Sequence, residues 1–379
     1  MARLMISKRF AMKLLVQPGD SIAPLLAGIR NAKSRVEIAI FRFDRAEIEK
    51  ALAEAVARGV FVHALIAYTN RGGERNLRKL EMRLLAAGVT VARTADDLVR
   101  YHGKYMIVDR EELHLLAFNF THLDIDHSRS FGLITENPKL VQEAVKLFEA
   151  DAMRQPYTSA LPALVVSPVN ARKQLSAFIK SAKKQLLIYD PEISDSSMLR
   201  LLEERFRAGV EIRIIGRIKR TNTGLEVRKM PGMRLHTRTM VRDGHQVFIG
   251  SQSLREVELG SRREVGIIFR DREIAARLSR IFEEDWERQA AEQPAVEQQP
   301  AAVTKVARKV AKVVAKELPS VAPVVEVIVR EIVGVNGDVD LDPATVEESV
   351  KDAVKEAVQE AVEDVVENAV EQNGIALTK

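Results

Sequence analysis

Two short runs of the chain hold residues able to do chemistry at an anionic group. RYHGKYMIVDREELHLLAFNFT carries His102, Lys104 and Asp109 as His-x-Lys-x4-Asp, and six positions later a four-residue element ends in Asn119. LHTRTMVRDGHQVFIGSQS repeats the spacing with His236, Arg238 and Asp243, followed by Gly250-Ser251-Gln252-Ser253. On a strand, side chains alternate between faces, so His102 and Lys104 point the same way. An imidazole and an ammonium thus converge on one spot, and the alternation of KYMIVD supplies a half-buried strand beneath them. A lysine on such a face needs an anionic partner. Asp109 and Asp243, at strand ends before turns, suit either catalysis or turn formation.

The elements around these runs are duplicated. Adding 150 maps Val16 onto Val166, Pro18 onto Pro168, Ile29 onto Ile179, Lys33 onto Lys183 and Gly59 onto Gly209. Further along the offset is 134, which maps His102 onto His236, Asp109 onto Asp243 and Gly132 onto Gly266. The 16-residue difference falls in TNRGGERNLRKLEMRLLAAG (69–88), expected to be a loop plus one added helix. Within each copy, β-rich runs such as VEIAIF alternate with amphipathic ones such as AEIEKALAEAVARG, an α/β pattern. Gly59 and Gly209 stand where helix C-caps belong. The expected organisation is a first repeat over 1–155, a second over 156–288, and a tail over 289–379.

The paired motif resembles the signature of the phospholipase D superfamily, His-x-Lys-x4-Asp-x6-Gly-Ser-x-Asn, with an acidic residue some eleven positions later. The resemblance covers residues 16–285 in two copies. It implies two fused repeats, each a mixed sheet flanked by helices, around a single site. It also implies a two-step displacement at phosphorus: one histidine becomes a phosphohistidine while the other protonates the leaving oxygen and then activates water or an alcohol. Lys104, Arg238 and Asn119 would hold the nonbridging oxygens, and no metal or cofactor is called for.

Each copy departs from the pattern. The first keeps His102, Lys104, Asp109 and Asn119 but has Leu116-Ala117 for Gly-Ser and Ser130 at the acidic position. The second keeps His236, Asp243, Gly250, Ser251 and Glu264, but has Arg238 for Lys and Ser253 for Asn. These are either two halves of one composite site or the decay of an enzyme into a binding protein. His102, whose copy retains Lys and Asn, is the first choice of nucleophile. Glu264, expected near His236, argues for the other. His122 and His127, with Asp124 and Asp126, lack a metal-ligand spacing and read as a polar loop.

Composition narrows the rest. Cysteine is absent, which excludes disulfides, a thiolate nucleophile and thiolate zinc sites. Residues 1–299 carry 49 Lys and Arg against 38 Asp and Glu, a balance suited to an anionic substrate. The expected function is phosphodiester hydrolysis or phosphatidyl transfer on a phospholipid, similar to cardiolipin synthases. The alternatives are a metal-independent nuclease and an inactive anionic-ligand scaffold. No run reaches the length of a membrane span, so the expectation is a cytoplasmic protein with peripheral membrane contact, and a monomer because the repeats are fused. From Gln289 onward there is no aromatic residue, and 304–318 and 345–372 read as amphipathic helices after a flexible linker.

Overall fold

The near-continuous apolar runs RVEIAI and QLLIYDPEI form strands Arg35–Ile40 and Gln185–Ile193. Each lies inside a sheet with both faces covered, which is why polar alternation is weak in them. The computed structural model describes residues 10–68, 74–219, 223–230 and 232–291. The tail helices expected at 304–318 and 345–372 lie outside these residues.

One sheet runs in the order Met12–Gln17, Ser128–Thr135, Glu112–Leu116, Tyr105–Val108, Arg35–Ile40, Phe61–Ile66, Thr90–Arg93. The other runs Leu164–Val166, Val265–Arg270, Gln246–Gly250, Arg238–Arg242, Gln185–Ile193, Glu211–Ile218, Glu226–Arg228. The orders correspond strand for strand, and in each the last three strands are parallel to one another and the rest antiparallel. This is the expected α/β fold of two fused repeats. The added helix is Glu74–Ala86, which sets Leu77, Leu80 and Leu84 against the first sheet; the second repeat has no helix among the described residues between Glu211–Ile218 and Glu226–Arg228.

The repeats share one core. Tyr105, Ile107 and Leu133 of the first sheet meet Leu187, Val241 and Ile267 of the second, closed by Phe148 from helix Pro138–Ala152 and Phe282 from helix Arg272–Ala291. The outer faces are covered by Ala23–Asn31 and Ala46–Ala57 on one side and by Ala171–Lys180 and Ser196–Arg207 on the other. Local signals set the helix ends. Asp195 accepts from the amides of Ser197 and Met198 to start Ser196–Arg207. Gly59 and Gly209 take φ of 86° and 85°, and the following Val60 and Val210 amides return to Ala55 and Arg205 carbonyls, so both helices stop as expected.

The feature that positions the site is a reciprocal exchange of short strands. Arg100–Tyr101, just before His102, pairs in parallel with Arg262–Arg263, just before Glu264. Arg234–Leu235, just before His236, pairs in parallel with Ser128–Arg129, just before Ser130. Each motif histidine is thereby tied to the opposite repeat: His102 N donates to Arg263 O at 2.7 Å and His236 N to Arg129 O at 3.1 Å.

Candidate active site

The strand exchange decides which carboxylate meets which imidazole. Glu264 was expected beside His236; instead its Oε2 lies 2.7 Å from His102 Nδ1, because the strand before Glu264 pairs with the strand before His102. The ring of Phe41 packs edge-on against His102 with centroids 4.6 Å apart. Both members of the pair are buried. Burial, and after it Lys104, Arg238, Arg100 and Arg262, holds the His102 imidazole well below its usual range. Burial pushes Glu264 up to about 8, helped by Glu258 and opposed by Lys104, Arg262 and Arg238.

His236 has a different partner, one the motif does not contain. Ser130, the first repeat's residue at the acidic position, is buried and has no carboxylate to offer. Asp124, from the short helix His122–Asp126, approaches instead, with Oδ2 3.5 Å from His236 Nδ1. Asp124 is built in: its Oδ2 accepts from the Asn119 amide at 2.7 Å and from Asn119 Nδ2 at 2.6 Å, and its Oδ1 accepts from Arg234 at 2.6 Å. Burial alone would raise Asp124, but His236, Arg234 and the Asn119 amide outweigh it and hold the carboxyl well below the usual range. Burial also holds His236 well below an ordinary imidazole, against the pull of Asp124.

The two cations are anchored alike. Lys104 Nζ donates to His102 O at 2.9 Å, and Arg238 Nη1 donates to His236 O at 2.8 Å. Arg238 makes a second contact, from Nε to Ser253 Oγ at 3.0 Å. The Lys-to-Arg and Asn-to-Ser departures of the second repeat are thus in contact: the smaller side chain leaves room for the guanidinium and accepts its Nε–H. Both cations depress both imidazoles, which places the four groups in one field.

Three expected site residues do other work. Asp109 and Asp243 sit at the far ends of strands Tyr105–Val108 and Arg238–Arg242. Five residues of extended chain carry Asp109 about 16 Å beyond Lys104. There Asp109 accepts from the amides of Lys33, Ser34 and Arg35, and Asp243 from those of Lys183, Lys184 and Gln185. Both have φ near 50°, so they are turn residues that tie each motif strand to its neighbour. Ser251 is buried near the site, but its hydroxyl accepts from Val265 N at 3.1 Å and reaches Val265 O at 3.3 Å, which makes it a backbone clamp. Ala117 makes the equivalent backbone bond to Phe131 without a hydroxyl. Asn119, expected on phosphate oxygens, spends one amide hydrogen on Asp124.

Asp124 and Glu258 are the residues that motif reading missed, although the 134-residue offset maps one onto the other. Glu258 Oε2 accepts from Ser253 N at 2.6 Å, as Asp124 does from Asn119. Asp190 is the other addition; it accepts from Leu254 N at 2.8 Å, and burial pushes it up to about 7. His122 is exposed and pairs with Arg45 and Asp126, so it lies apart from the imidazole pair. Among the described residues no group of three or more His, Cys, Asp or Glu is set to hold a metal, and no helix is long and apolar enough to cross a membrane.

Two sheets of one topology, locked by exchanged strands that bring two His-x-cation elements into one buried site, define a two-repeat phospholipase D-like protein. The chain belongs to the family described as cardiolipin synthase, PLD-like domain, whose model matches residues 25–152 and again 175–286. Proteins of this superfamily are in general phosphodiesterases and phosphatidyltransferases. A mitochondrial cardiolipin hydrolase of Danio rerio is 30% identical over 134 residues, 34% of this chain and 58% of that one, so the match spans under two thirds of that relative. Polyphosphate kinase of Porphyromonas gingivalis superposes with a TM-score of 0.60 at 20% identity, over 72% of this chain and 50% of that one. Phosphatidylserine synthase of Haemophilus influenzae does so with 0.57 at 12% identity, over 80% and 93%. These two likenesses are of fold.

Proposed function

We propose that the chain is a phospholipid-directed phosphodiesterase or phosphatidyltransferase that works through a phosphohistidine on His102. The observation that carries this reading is the 2.7 Å contact between His102 Nδ1 and Glu264, set against the looser 3.5 Å approach of Asp124 to His236. An ionised Glu264 fixes the tautomer with Nδ1–H toward the carboxylate and leaves the Nε2 lone pair for attack. In the first step Nε2 of His102 bonds to phosphorus, the ester P–O bond breaks, and His236 gives a proton to the departing alkoxide. In the second, water or an alcohol gives its proton to His236 and bonds to phosphorus as the P–N bond breaks. Lys104 and Arg238, each held by the carbonyl of its own histidine, balance the charge on the nonbridging oxygens. Asp124 steadies the imidazolium form that His236 holds before the first step and regains in the second.

The family and the hydrolase relative favour a glycerophospholipid as substrate. The test is a panel of phosphatidylglycerol, cardiolipin, phosphatidylcholine and single- and double-stranded DNA and RNA, run in chelator, with acid-labile phosphoenzyme trapped on wild type, His102→Ala and His236→Ala. Lipid turnover with an adduct lost only in His102→Ala is expected. An adduct that survives His102→Ala moves the nucleophile to His236, and nucleic-acid cleavage with intact lipids replaces the substrate class.

A further inference from the structure

One aromatic ring stands where the cations of the first repeat meet. Phe41 directly follows strand Arg35–Ile40, is 2% exposed, and meets the His102 ring edge-on. Lys104 Nζ lies 5.5 Å from the Phe41 centroid, and the guanidinium carbons of Arg100 and Arg42 lie 5.2 and 5.7 Å from it. Three like charges around one side chain repel one another, and the negative face of a phenyl ring attracts a cation within about 6 Å of its centroid.

The two repeats differ at this point. Adding 150 maps Phe41 onto Pro191. Arg238 is held without a ring, by His236 O, by Ser253 Oγ and, at 3.9 Å, by Glu258 Oε1. Lys104 has no carboxylate at ion-pair distance among the described residues, and its one hydrogen bond there goes to His102 O. The chemistry of the two cations accounts for the difference. A guanidinium keeps its proton when buried, whereas a buried ammonium is prone to lose it. Lys104 is 1% exposed. Burial pulls it well below its usual range, opposed by Glu264, Asp124 and Glu258 and aided by Arg238. A carboxylate in contact would hold the proton but cancel the charge that a phosphate needs. A ring favours the ammonium and cancels nothing.

We infer that Phe41 is a positioning residue whose ring keeps the Lys104 ammonium charged and in place for the substrate's nonbridging oxygens, given the oxyanion role proposed above for Lys104. The expected mark of this role is a dependence on pH. Weakening the ring's face lowers the pH at which Lys104 gives up its proton. Oxyanion affinity therefore falls above that pH, whereas below it the ammonium is charged with or without the ring. The other charged groups facing Lys104 are Glu264, Arg238, Asp124 and Glu258, with His102, Arg42 and Arg100 around the ring. All of them stay in place when only the ring is altered.

The test is titration calorimetry of the full chain with tungstate from mildly acidic to alkaline pH. Phe41 is replaced in turn by mono-, di- and trifluorophenylalanine, which keep the ring and withdraw negative charge from its face. The alkaline limb of binding should step to lower pH with each fluorine. Above the wild-type midpoint affinity should fall about 5- to 30-fold over the series, while at the acid end it stays within about twofold. Phe41→Leu, which removes the ring, should move the limb at least as far. In Lys104→Arg, whose cation keeps its proton, the fluorines should no longer move it. A limb that fluorine leaves in place in folded protein, affinity lost equally at every pH, or fluorine effects that persist in Lys104→Arg each overturn the inference. Wild type that binds no tungstate at any pH overturns it together with the oxyanion role of Lys104.

Discussion

Restoring the family lysine at Arg238 should harm the site. In this chain Arg238 spans two acceptors, His236 O through Nη1 and Ser253 Oγ through Nε. A lysine has one ammonium on a shorter reach, and Lys104 shows where it goes, to the carbonyl of its own histidine. Arg238→Lys therefore keeps the first contact and drops the second. A hydrogen bond from a charged group contributes about 1.5–3 kcal/mol, so oxyanion affinity should fall roughly 10- to 150-fold. Ser253→Asn alone should also lose affinity, because the larger amide intrudes on a guanidinium only 3.0 Å from the serine oxygen. The double variant rebuilds the Lys104–Asn119 arrangement, with Glu258 standing where Asp124 stands, and should recover about 1–2 kcal/mol of coupling. Titration calorimetry with tungstate, a tetrahedral oxyanion, measures all four proteins without a known substrate. Arg238→Lys binding as tightly as wild type, or single effects that add within about 0.5 kcal/mol, would refute the reasoning.

Three further outcomes follow from the same geometry. The His102–Glu264 pair must lose one proton before Nε2 can attack, and Glu264 holds that proton up to about 8, so kcat/KM should fall as pH drops through about 8; in Glu264→Gln this limb should vanish and the rate drop about 10- to 100-fold, and an unaltered profile would remove Glu264 from the mechanism. Asp124→Asn should slow diesters with alkyl leaving groups far more than a p-nitrophenyl ester, whose departure needs no proton; equal slowing would show that Asp124 does not act through His236 as acid. Asp109→Asn should lower Tm by about 2–4 °C for a loss near 1 kcal/mol while kcat stays within about twofold, and a large fall in kcat with Tm unchanged would return Asp109 to the site.

Much of this architecture was readable in the residues because duplication is a constant-offset signal. The two offsets define the paired sheets, and their 16-residue difference locates helix Glu74–Ala86. The exchange of strands was not readable. Arg100–Tyr101 and Arg262–Arg263 are two residues long, too short for any periodicity, and their pairing joins positions 162 apart. Without it, Glu264 is assigned to the histidine of its own repeat. Asp109 and Asp243 misled for a related reason: their fixed spacing from the histidines is a property of strand length and turn, and a strand of that length carries them out of the site. Asp124 lay within reach of the offset, since Glu258 is its counterpart, but a search confined to the acidic position stops at Ser130.

The exchange also explains how each repeat could lose a motif residue and leave one coherent site. Each of the two motif imidazoles draws its carboxylate from the other repeat: His102 from Glu264, His236 from Asp124. A loss in one repeat is therefore felt by the histidine of the other, and compensation must come from wherever the exchanged strand brings a group close. Ser130 removed an acid from the His236 side, and Asp124, six residues earlier on the helix that precedes the same strand, approaches that side with Asn119 and Arg234 to steady it. The result is one tight imidazole–carboxylate contact and one loose one. A nucleophile requires a fixed tautomer and a neutral ring, which the tight contact supplies; a proton shuttle must change protonation twice per turnover, which the loose one permits. The asymmetry of the halves is thus itself the argument for dividing the two roles between them.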